Sequence, residues 1–196
     1  TIQAAINSSS DGDTIIVLAG THVGAIDLDG KAITLLSASG PAFTNLTRNG
    51  DGPIVLCNSA ETSATVIQGF TLRDGFTTGK GAALRCVLST PTIIDCVFDE
   101  NIALDGGGAV SLLLASPAFG DCSFTDNLDI LSDLPIQGGA VLAEHGHPTF
   151  TNCSFVNNHA GELGGAVALI EGADADFTGC EFLANELWIP GQATRG

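Results

Sequence analysis

The chain has 196 residues, with 6 Lys+Arg against 22 Asp+Glu and a formal net charge of −16. Ligands held mainly through phosphates need clustered cations, so nucleic acid and anionic membrane surfaces are excluded as principal partners. Hydrophobic residues make up 44%, which allows a large core and argues against disorder. The uncharged stretch from Gly106 to Gly120 is broken by Gly, Ser and Pro, whereas a spanning helix needs about 20 mostly apolar residues, so no direct membrane insertion is expected.

The elements follow in chain order. The chain opens inside a structured-looking segment without an initiator Met or signal peptide, which points to a processed or trimmed piece of a longer protein. Residues 1–10 hold a short amphipathic helix, with Ile2, Ala5 and Ile6 on one face. Residues 11–21 read as a turn, a buried strand and a corner, and Lys31 to Ser37 as the next strand.

From about residue 81 a repeat becomes plain. Cys-x-Phe-x-x-Asn recurs four times, at Cys96–Asn101, Cys122–Asn127, Cys153–Asn158 and Cys180–Asn185, with Cys-to-Cys steps of 26, 31 and 27. Gly107-Gly108-Ala109-Val110, Gly138-Gly139-Ala140-Val141 and Gly164-Gly165-Ala166-Val167 run in phase with it, and Gly81-Ala82-Ala83-Leu84 is a weaker copy. A third landmark, Ile93, Phe119, Phe150 and Phe177, precedes each Cys by three residues.

In Cys-x-Phe the two apolar residues share one face of a strand, and Val110, Leu112 and Leu114 do the same on a second strand. Short alternating stripes punctuated by Gly, Pro and Asn, about 26 residues per period, predict one coil of a solenoid whose strands stack in parallel. Asn101, Asn127, Asn158 and Asn185 are expected at left-handed turn positions, forming an amide ladder. The double glycines mark a second corner. Residues 128–136 hold an insertion, and residues 186–196 depart from the pattern as a partial cap, with Trp188 over the last coil, or a truncated coil.

On these residues the chain resembles the right-handed parallel β-helix, or pectin-lyase-like, superfamily. The resemblance implies an all-β, single-domain, right-handed parallel β-helix of six to seven coils over residues 11–185, with the N-terminal helix capping its open end. The FxxN and GGA(V/I) pair is also similar to the repeats of chlamydial polymorphic outer-membrane proteins and related surface proteins, which implies an extracellular or cell-surface passenger.

Cys96, Cys122, Cys153 and Cys180 occupy one inward repeat position and are expected to form a buried column of free thiols. Cys57 and Cys86 align with Leu112 and Leu169. A disulfide between them requires adjacent coils, and side-chain directions in a parallel stack disfavour it.

Three groups carry candidate chemistry. Asp126, Asp129 and Asp133 supply oxygens suited to calcium, against a reading as solvated acidic surface. His145 and His147, flanking Gly146, are acid/base candidates, although the pectin-hydrolysing relatives carry Gly-His-Gly and no paired-Asp or Arg-x-Lys motif accompanies these histidines. Arg85 is the candidate base beside Asp126.

The expectation is a non-catalytic structural or adhesion module, with a polysaccharide lyase or hydrolase as the alternative. It needs no cofactor, calcium at the acidic loop being the one alternative. Its partners are another copy of itself or a cell-surface glycan.

Overall fold

The structure, a computed structural model, describes residues 1–129 and 137–187. One coil from the middle of the chain shows the plan. Thr92–Ile94, Val97–Asp99, Ile102–Ala103 and Val110–Leu113 are four short strands joined by corners. The next coil repeats them as Ala118–Gly120, Ser123–Thr125, Leu128–Asp129 and Val141–Glu144. Each strand pairs in parallel with its counterparts on neighbouring coils. The result is a β-solenoid of about six turns, with four parallel sheets that hold seven, seven, five and six strands among the described residues, in the order of that coil. Among the described residues no helix is long and apolar enough to cross a membrane.

The strands stay short because the backbone turns left-handed between them. Asp95, Glu100 and Leu114 have φ of 50°, 52° and 51°, and the residues that follow, Cys96, Asn101 and Ala115, are buried. One left-handed residue breaks the two-residue alternation, so a strand centre and the next corner both point inward. Two expectations are corrected by this geometry. The left-handed residues are Glu100, Asp126, Asn157 and Ala184, one before each repeat Asn. Leu114 is a half-exposed corner rather than an inward strand residue.

The repeat Asn side chains point inward and replace the strand ladder at the corner. Asn101 Nδ2 donates to Asn127 Oδ1 (3.0 Å), Asn127 to Asn158 (2.9 Å) and Asn158 to Asn185 (2.8 Å). Each Oδ1 also accepts from the backbone N–H of the coil before, ending at Gly75 N–H. The second Nδ2 hydrogen goes to a carbonyl of an earlier coil, such as Phe98 O at 2.9 Å. Every polar atom of a fully buried amide is thereby satisfied, which offsets its desolvation.

Two aromatic columns fill the core beside it. Phe98, Phe124, Phe155 and Phe182 stack 4.6–4.7 Å apart. Phe119, Phe150 and Phe177 stack at 4.9 and 5.0 Å and meet the first column edge to face. The glycine corners are needed for close approach. At Gly107, φ is 61° and an added Cβ would lie 2.1 Å from Val110 O; at Gly108 it would lie 2.3 Å from Gly139 O on the next coil.

The helix Ile2–Ser8 closes the first coil. Thr1 caps it by accepting from Ala4 N–H, and Ile6 is fully buried. The Gln3 amide makes two hydrogen bonds to the Asp27 backbone, as a neighbouring strand would. Lys31 Nζ donates to the carbonyls of Ile6, Asn7 and Ser9, placing a cation on the negative end of the helix.

At the other end, Glu186–Leu187 is a strand paired with His159–Ala160. Leu128–Asp129 likewise pairs with Ile102–Ala103, so the segment read as an insertion begins inside a strand. Residues 130–136 and 188–196, with Trp188 and Asp133, lie outside the described residues.

Candidate functional site: a loop-flanked strip on the fourth sheet

Arg85, Ser111, Leu142 and Ala168 align across four strands of the fourth sheet. They alternate with the buried Val110, Leu112, Val141 and Ala143, so they lie on the outer side. Outer residues of a solenoid are normally wet. Ser111, Leu142 and Ala168 are 2%, 2% and 5% exposed. The corner before the sheet folds over them: an added Cβ on Gly81 would meet Ser111, and one on Gly106 would meet Leu142.

This covered strip carries a charged cluster. Lys80, between two corner glycines, reaches Glu144 at 2.7 Å, with Glu144 only 12% exposed as a side chain. Asp129 is fully buried. Its Oδ1 accepts from Gly106 N–H at 3.2 Å. Its Oδ2 and Gln137 Oε1 are the buried side-chain polar atoms without a hydrogen-bond partner among the described residues. Burial pushes the Asp129 carboxyl up to about 7, helped by the Asp105 charge and opposed by hydrogen bonding and by Lys80. A carboxyl poised there can hold or release a proton near neutral pH.

The sequence-derived candidates distribute as follows. Asp126 is an exposed left-handed corner, on the other side of Asn127 from buried Asp129. Asp133 lies outside the described residues. Arg85 is exposed on the strip. His145 Nε2 lies 2.8 Å from Glu171, and His147 lies 3.6 and 3.2 Å from Asp174 and Asp176, so each histidine faces carboxylates of the next coil. Among the described residues no three His, Cys, Asp or Glu side chains are placed to hold a metal ion. Arg73 contacts Asp74, Asp99 and Glu100 at 3.1–3.4 Å. Asp99 is pushed up because its burial outweighs the Arg73 charge.

Lys80, Glu144 and Gln137 escaped the sequence reading. Lys80 and Glu144 are 64 residues apart, and no local spacing announces a pair made by stacking.

All six cysteines are free thiols. Cys57 and Cys86 are register partners on adjacent coils, both fully buried. The repeat cysteines stack along the corner between the first two sheets, each Sγ near two backbone carbonyls. Burial pushes Cys96 up to about 12. Hydrogen bonding from Cys122 holds Cys153 down at about 7 and Cys122 itself rises.

Comparison with protein-family models, with curated proteins and with solved structures finds no match. The fold defines the protein as a parallel β-solenoid with a short N-terminal helix.

Proposed function

We propose that this chain is a non-catalytic structural or adhesion module, an extracellular segment of a cell-surface or fibre-forming protein. The observation that carries the reading is the set of unbroken internal columns, four amides and seven phenylalanines in register over the regular coils. Such columns make a stiff rod whose outer faces are free to vary, as a displayed stalk requires. The repeats, similar to those of pectin-lyase-like β-helices and of chlamydial polymorphic outer-membrane-type proteins, support the same reading.

The test is a panel of neutral and acidic glycans, with and without calcium, scored for binding and for turnover. Binding without turnover is expected, and turnover of any glycan overturns the proposal.

One observation favours a second reading, a polysaccharide lyase or hydrolase: buried Asp129, held near 7 beside the Lys80–Glu144 pair on the covered strip. If that reading holds, Asp129→Asn abolishes turnover while leaving glycan binding intact.

A further inference from the structure

The first sheet is in register from its first strand to its last. Leu35, Ile67, Ile93, Phe119 and Phe150 point into the core, so the residues on either side of them point out. One outward row runs Thr14, Thr34, Val66, Thr92, Ala118 and Thr149. Two residues further along the strands, the second row sets Ile16, Leu36 and Ile94 beside the first three of these threonines, and Thr151 beside Thr149. Ile16 is 62% exposed. Among the described residues, neither row carries a charge before Asp176 on the seventh strand. The chain has a net charge of −16, and the other outward rows show it: Arg73 and Asp99 stand on the second sheet, Arg85 and Glu144 on the fourth.

This face is also flat. On its inner side Phe119, Phe150 and Phe177 stack at 4.9 and 5.0 Å, hardly more than the strand spacing of about 4.8 Å. A twisted sheet would carry each ring sideways off the one below it. The ring planes lie within 4° and 7° of parallel, so the stack does not bend either. The outward side chains thus form a planar grid, about 4.8 Å between rungs and about 6.6 Å between the two rows. Six rungs of two residues cover on the order of 300 Å², well short of the about 800 Å² per partner of a stable protein interface. Flat glycans are met by aromatic rings with a polar handle, and neither row holds one.

We propose that the outward face of the first sheet binds crystalline water, that is, the surface of ice. Hexagonal ice repeats its oxygens at similar intervals along two perpendicular directions. Each threonine offers a hydroxyl that can hold one water and a methyl beside which waters bond only to one another. Thr92 Oγ1 donates to Ser63 O at 3.1 Å, which fixes that hydroxyl in place. A charge would impose its own hydration shell on the lattice, and the face has none over six rungs. The inference concerns one face of the rod and goes beyond the module reading: the glycan panel decides that reading, and ice decides this one.

The test grows single ice crystals in a solution of the chain. It follows their shape, the gap between melting and growth temperatures, and the uptake of fluorescently labelled protein. Facetted crystals, a measurable gap and labelled ice are expected. Ala118→Tyr sets a ring on the middle of the face at an exposed position and is expected to abolish all three, with the circular dichroism spectrum and denaturant midpoint of the wild-type chain. Thr34→Lys puts a charge on another rung and is expected to do the same. Val97→Tyr, on the outward row of the second sheet, leaves all three unchanged. Rounded crystals with the wild-type chain, activity kept by both face variants, or activity lost in Val97→Tyr overturns the site. So does binding to crystalline cellulose in place of ice, or a dimer that Ala118→Tyr dissociates.

Discussion

The two halves of the solenoid reach the same architecture by different means. In the C-terminal half Phe and Asn recur on four successive rungs and Gly-Gly on three. In the N-terminal half, Phe98 pairs down to Leu72 and Leu46, and the amide ladder ends at Gly75 N–H. Register survives the change. It rests on an inward apolar residue at each strand centre and a corner that resets the alternation, while the repeated motif adds satisfied polar columns and aromatic stacking.

The comparison can be broken most severely at the aromatic column. Phe124→Ala removes a ring stacked on both sides and is expected to cost about 5 kcal/mol, against about 3 kcal/mol for Leu46→Ala in the irregular half. Denaturant midpoints at constant slope give both values.

Next comes pH. Burial holds the folded Asp129 carboxyl up at about 7, against the ordinary carboxyl value of 3.8, so the folded state binds the extra proton between those values. Its stabilisation is complete below about pH 4 and is lost as the pH rises through 7, by up to about 4 kcal/mol. The stability difference between the wild-type chain and Asp129→Asn, measured from pH 4 to 8, should fall by that amount. A flat difference would show that the carboxyl is not held protonated by burial.

A smaller effect is expected at the amide ladder. Asn127→Ala strands the Asn101 backbone N–H and the Phe98 carbonyl, costing about 3 kcal/mol. Gly75→Asn does not extend the ladder into the irregular half, because a Cβ there would lie 2.7 Å from Ala82 O. Loss of stability is the expected outcome, and a gain would mean that the two halves are interchangeable.

At the capped end, Thr1→Ala removes the bond to Ala4 N–H and should cost about 1 kcal/mol. The exposed Arg73 cluster matters least. Arg73→Ala is expected to change stability by under about 0.5 kcal/mol, and high salt should erase even that.

Much of the scaffold was legible beforehand. The phase of Cys, Phe and Asn identifies inward positions, because identical residues at a constant step stack on themselves only in a coil. The left-handed residue was misplaced by one, since Glu100, Asp126 and Ala184 share no residue type that would mark it. The strip around Asp129 was legible only in part. Its carboxylate stood out in an acidic run, but Asp126 and Asp129 look alike in sequence and are separated by a corner that exposes one and buries the other.

By itself, then, the sequence determined the repeat length, the inward columns and the parallel stacking, because these follow from local alternation and a fixed period. Only the tertiary structure decided which corners fold over the fourth sheet, which carboxyl loses its water, and that Lys80 meets Glu144. Those outcomes depend on contacts between coils, and such contacts exist only once the chain has closed upon itself.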